Sequence, residues 1–103
     1  MTEILPRPMV LEEFAPLVGQ SFLAHCEPQP VAITLVEASP LRLNGVSERP
    51  PFILIFQTPP EAMLVEGSYT MRCGNWGPDI IYLFPITAPA KSEPGYYYQA
   101  IFN

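Results

Sequence analysis

Short runs of apolar and polar residues, punctuated by prolines, set the pattern of this chain. From Gln20 to Cys26, the apolar Phe22, Ala24 and Cys26 fall on one face of an extended segment, because successive strand residues point to opposite sides. Val31 to Ala38 places Val31, Ile33 and Leu35 on one face and Thr34 and Val36 on the other. Ser68 to Cys73 groups Tyr69, Met71 and Cys73 and turns Thr70 and Arg72 outward. Phe52 to Phe56 is apolar at every position, as in a central strand covered on both sides or one facing a helix. Asp79 to Phe84 and Tyr96 to Phe102 complete six predicted strands. Turn formers bound them: Pro28 and Pro30, Pro40, Pro50-Pro51, Pro59-Pro60, Pro78, Pro85, Pro89 and Pro94. Gly74-Asn75-Trp76-Gly77-Pro78 lies between runs of near-equal length and reads as a hairpin connection.

One segment carries the other period. Val10, Phe14, Leu17 and Val18 recur at helical spacing within Met9 to Val18, with Glu12 and Glu13 opposite and Gly19 as a stop. Pro16 inside this stretch keeps the predicted helix short. With 14 prolines an all-helical chain is excluded. The fold expected is mostly β: a small antiparallel sandwich or partly open barrel of about six or seven strands, with one short N-terminal helix. The 103 residues suit a single domain over 1–103, with 1–8 irregular. The last strand is expected to run to Asn103 and to be tied into the sheet.

Charge narrows the function. Ten Asp and Glu stand against five Lys and Arg, and Arg7, Arg42, Arg49, Arg72 and Lys91 are scattered. Phosphate backbones are bound by clustered positive charge, so nucleic acid is not expected as a partner, and the acidity argues equally against an anionic membrane. Charged residues are only 15% of the chain, which hints that some surface is given to a protein partner. The start, MTEILPRPMV, lacks the basic and apolar runs of a secretion signal, so a cytoplasmic location is expected. Cys26 and Cys73 then read as small apolar side chains, not a disulfide framework.

Chemistry is sparse. His25 is the one histidine and falls opposite Phe22, Ala24 and Cys26, hence at the surface, with no nucleophile elbow in the chain. Asp79 is the one aspartate, Glu12 and Glu13 point to different sides of a helix, and no glycine-rich phosphate loop or calcium loop occurs. No catalytic residue, cofactor or metal ligand is assigned, and the chain is not expected to be an enzyme. In Leu64-Val65-Glu66-Gly67-Ser68-Tyr69, a glycine two residues before a strand tyrosine reads as architecture, the hydroxyl tying back to a connecting segment. Two aromatics are candidate partner contacts: Trp76 at the hairpin tip, unless its ring folds back to cap the barrel, and Tyr97, which faces away from Tyr96 and Tyr98.

Taken together, Phe14 with Leu17-Val18-Gly19-Gln20, Leu35-Val36-Glu37, Arg49-Pro50-Pro51-Phe52, Gly67-Ser68-Tyr69, Leu83-Phe84-Pro85 and Tyr98-Gln99-Ala100-Ile101-Phe102-Asn103 resemble a family of small uncharacterised bacterial proteins. That family ends in tyrosine, glutamate or glutamine, alanine, valine or isoleucine, phenylalanine and asparagine. Gln99 and Ile101 are conservative departures from its commonest ending, and Leu83-Phe84-Pro85 stands where leucine-valine-proline is usual. The resemblance implies an accessory role beside phage-tail-collar-like proteins and carries over no catalytic residue. The expected function is a non-enzymatic protein-binding or accessory module with an unknown protein partner. The alternatives are a small-ligand-binding barrel or minor enzyme, and a structural subunit that forms homo-oligomers through an edge strand.

Overall fold

The computed structural model describes residues 8–41 and 50–102. A single helical turn, α1 (Leu11–Phe14), runs into a 3-10 turn (Ala15–Leu17). Six strands follow: β1 (Ser21–Ala24), β2 (Val31–Pro40), β3 (Phe52–Thr58), β4 (Gly67–Cys73), β5 (Trp76–Ile86) and β6 (Tyr96–Phe102). All pairings are antiparallel, and the sheet closes into a barrel in the order β1-β2-β3-β6-β5-β4. The mostly β reading with one short N-terminal helix therefore holds, and the architecture is the barrel, fully closed. Most of the expected irregular segment 1–8, and Asn103, lie outside the described residues.

Period-2 alternation builds the interior. Along β3, Phe52, Leu54, Phe56 and Thr58 point inward and are buried, while Ile53, Ile55 and Gln57 are half-buried outside. Phe14, Phe22, Leu35, Leu54, Phe56, Met71 and Leu83 are completely buried, so side chains fill the barrel. Two register shifts, between Leu35 and Glu37 on β2 and between Met71 and Cys73 on β4, bend the sheet enough to curl round. The closing seam is short: β1 pairs with β4 at Leu23–Arg72 and Ala24–Met71, and the next residue, His25, donates its backbone N–H to the Thr70 carbonyl at 2.9 Å.

The second shift also moves the hairpin from its predicted place. The turn proper is Gly74–Asn75, and Trp76, Gly77 and Pro78 already belong to β5, with Trp76 paired to Cys73. Gly77 is obligatory there. Its φ is +89°, and a Cβ would sit 2.5 Å from the Met71 carbonyl oxygen.

The helical turn plugs one end of the barrel. Pro16 limits it to the short element expected, and Phe14, fully buried, enters the barrel mouth. Its ring centroid lies 5.2 Å from Trp76, 5.8 Å from Phe52 and 5.9 Å from Phe102. Phe52 and Phe102 stack at 4.5 Å, and Trp76 also meets Phe22 at 5.4 Å. One carboxylate binds this end together: Glu13 accepts the Val10 backbone N–H at 3.0 Å through Oε2 and the Trp76 indole N–H at 3.1 Å through Oε1. Trp76 thus caps the barrel from within, half-buried, and does not stand out as a hairpin-tip contact.

Candidate functional site

The opposite end is built differently, from tyrosines. The chain has five, Tyr69, Tyr82, Tyr96, Tyr97 and Tyr98, and each comes to this end on β4, β5 or β6. Four of their hydroxyls fasten connecting segments. The buried Tyr98 Oη accepts the Leu64 backbone N–H at 2.9 Å and shares a hydrogen with Thr58 Oγ1 at 3.3 Å. Tyr69 Oη donates to the Val65 carbonyl at 2.6 Å, the tie-back its spacing predicted. Tyr97 Oη donates to the Glu93 carbonyl at 2.7 Å, and the Tyr82 hydroxyl donates to the Glu66 carboxylate. The fifth, Tyr96, is exposed.

Tyr97 does face away from Tyr98, as alternation requires, yet it is only 4% exposed. The segment after β5 folds back over it: besides the Tyr97 bond to Glu93, Gln57 Nε2 donates to the Pro94 carbonyl at 2.7 Å. Gly95 allows this close approach, since a Cβ would collide with the Thr58 carbonyl oxygen. Tyr97 is therefore covered, not open as expected of a contact residue, while its neighbour Tyr96 is exposed.

What the tyrosines hold in place is the connection between β3 and β4. Leu64, tied to Tyr98, points inward and is buried, while Met63 and Val65 on either side stand out at 65% and 70% exposure. They are the most exposed of the large apolar residues described. This ridge parts two concave strips. One, of about 310 Å3, is lined by Met63, Val65, Pro85, Ile86 and Tyr96, with Glu66 at its margin. The other, of about 480 Å3, lies against Cys26, Val31 and Tyr69, with Glu27 and Glu61 among its lining.

Two of these hydroxyls, those of Tyr69 and Tyr82, are held more firmly protonated than a free tyrosine. Burial, with Cys26 and Tyr98 nearby, pushes the Tyr69 hydroxyl above its ordinary value of 10.0, and the bond to Glu66 raises that of the exposed Tyr82. Burial likewise raises the Cys73 thiol, which lines the core.

His25 is exposed, as its strand position predicted, and shares a shallow depression with Cys26 and Glu27. The Cys26 thiol donates to the Gln29 carbonyl at 3.3 Å, not to the imidazole. Both cysteines are free thiols. Among the described residues no group of three or more His, Cys, Asp and Glu is placed to hold a metal ion, and no helix is long and apolar enough to cross a membrane. Every buried side-chain nitrogen and oxygen described has a hydrogen-bond partner.

Sequence reasoning missed the ridge. Its signal was available: Met63-Leu64-Val65 is an apolar triplet between two glutamates in a connection, outside any strand.

Fold and site together define a small closed antiparallel β-barrel, plugged by aromatics at one end and presenting an apolar ridge at the other. The chain belongs to the family described as Domain of unknown function (DUF6916), whose model matches residues 9–102. No curated protein and no solved structure matches it.

Proposed function

We propose that the barrel is a non-enzymatic protein-binding module that docks its partner on the Met63–Val65 ridge. A single observation carries this reading. Two large apolar side chains stand side by side in solvent, on a backbone that two buried tyrosines fix, between two concave strips. Contiguous exposed apolar surface of this kind marks interaction sites, and a pre-ordered backbone lowers the entropic cost of binding. Methionine suits such a surface because its flexible thioether adapts to a partner's shape. The family resemblance makes a phage-tail-collar-like protein the first partner to try.

The test is site-specific cross-linking in the native host. A photoreactive benzoylphenylalanine at Met63 should capture a discrete partner that the same group at Ile101 on β6 does not. The Met63→Ser/Val65→Ser double variant, still folded, should no longer retain that partner. Equal capture from positions 63 and 101, or full retention by the double variant, would remove the ridge from consideration.

A further inference from the structure

The charges around the ridge specify the partner's chemistry. Three carboxylates line the two strips, Glu66 on one side and Glu27 and Glu61 on the other. Among the described residues no lysine or arginine lines either strip: Arg72 and Lys91 belong to neither. Glu66 is held in place by the Tyr82 hydroxyl, whereas no described residue pairs with the carboxylates of Glu27 and Glu61. The whole chain carries a formal net charge of −5. An apolar crest inside an acidic margin is complementary to one kind of surface: apolar side chains flanked by positive charge.

Resting on the docking reading above, we infer that the ridge receives a cationic apolar peptide segment of another protein. Such a segment lays one apolar side chain into the strip beside Tyr96 and Ile86. It lays a second into the strip beside Val31 and Tyr69, with Lys or Arg reaching Glu27, Glu61 and Glu66. The acids raise the encounter rate and select against other partners, while the apolar contacts supply most of the affinity. A second copy of this chain is disfavoured as the occupant. A two-fold contact presents the same patch on both sides, which would set these carboxylates against their own copies. An anionic membrane is disfavoured for the same reason.

The test begins with a random dodecapeptide library, displayed on phage and selected against the full chain. Peptides that the Met63→Ser/Val65→Ser variant also retains are discarded. The survivors are synthesised and titrated by fluorescence anisotropy and by amide chemical shifts. The expected winners carry Lys or Arg next to at least two apolar residues and shift the amides of Met63, Val65, Ile86 and Tyr96. Their affinity should fall about 10-fold in the Glu27→Gln/Glu61→Gln/Glu66→Gln triple variant, since each exposed pair is worth roughly 2- to 5-fold. Raising salt from about 50 mM to about 500 mM should weaken binding by a similar factor.

Winners that seat on the ridge with neutral or acidic flanks, at an affinity the triple variant preserves, overturn the cationic inference and leave the docking reading standing. Shifts confined to other surfaces, or no peptide that distinguishes the double variant from the parent, overturn both. Ridge-dependent sedimentation with phosphatidylcholine–phosphatidylglycerol vesicles would make the partner a membrane. Ridge-dependent self-association in analytical ultracentrifugation would make it a second copy. Either result overturns the inference.

Discussion

The two ends of this barrel use aromatic residues in opposite ways. At the helix end, Phe14, Phe52, Phe102 and Trp76 pack ring on ring, and the Glu13 carboxylate, bound by the Trp76 indole and the Val10 N–H, helps to hold the plug shut. At the tyrosine end the rings sit in or against the sheet, while their hydroxyls reach out to loop backbone at Leu64, Val65 and Glu93. Packing minimises exposed apolar surface. A hydroxyl staple fixes a loop without covering it, and so can leave Met63 and Val65 outside. The lesson is that exposure at the second end is built by specific bonds, whereas closure at the first end comes chiefly from burial.

The largest effect should come from breaking the plug. Phe14→Ala removes a fully buried ring with three aromatic neighbours, and a loss of about 3 to 5 kcal/mol is expected in urea unfolding. A loss below about 1 kcal/mol would mean that the helix end is not a packed closure. Trp76→Ala should also destabilise, because it removes one ring of the same cluster and leaves Glu13 without the indole.

Next comes the central staple. Tyr98→Phe keeps the ring and removes an oxygen that serves both Leu64 N–H and Thr58 Oγ1. Leaving a buried donor unsatisfied costs about 1 to 3 kcal/mol, so a smaller loss than that of Phe14→Ala is expected. The sharper readout is local. Hydrogen exchange at the Leu64 amide should accelerate far more than at Leu54 or Phe56 in β3. Uniform acceleration would show that Tyr98 stabilises the barrel generally and does not hold the ridge.

Tyr69 allows the staple to be titrated. Its folded-state value lies above 10.0, chiefly because the hydroxyl is buried. The neutral form is the one the fold accepts, so this contribution is complete below about pH 10 and is lost as pH rises through the folded value. Between about pH 9 and about pH 11 the parent should lose more stability than Tyr69→Phe, which has no proton to give up. The difference should stay within a kcal/mol or so, because the site is only partly shielded from solvent. Parallel losses in the two proteins would assign the alkaline sensitivity to other tyrosines.

The same contrast explains how much could be read from the chain beforehand. Strands were legible because alternation is local and prolines mark the breaks; β6 was expected at Tyr96 to Phe102 and lies there. Closure was not legible, since it depends on two register shifts and a short seam between residues some fifty positions apart. Trp76 was foreseen either as a contact or as a cap. The choice was made by Glu13, 63 positions away, and by the shift at Arg72, neither of which has a local signature. Tyr97 shows the limit of the period-2 rule: it gave the correct face, but not the Glu93–Pro94 segment that covers that face. The Tyr69 tie-back spans four residues and was foreseen, while the Tyr98 bond to Leu64 spans 34 and was not. Local geometry is written in spacing; long-range covering is not.

The smallest stability effect should come from the ridge itself, where it is most informative. Met63 and Val65 are already two-thirds exposed in the folded protein, so Met63→Ser/Val65→Ser takes away little that folding had buried. The expected change is within about 0.5 kcal/mol, as for ordinary surface positions. Leu64, between them, is 5% exposed, and Leu64→Ala is the internal control, expected to lose several times as much. Three consecutive residues would then read neutral, costly, neutral in the same unfolding assay. If the double serine variant loses as much as Leu64→Ala, Met63 and Val65 are packing residues, and the two ends of the barrel differ less than their geometry implies. If it loses almost nothing while retention of a partner disappears, the ridge is apolar for the partner and not for the fold.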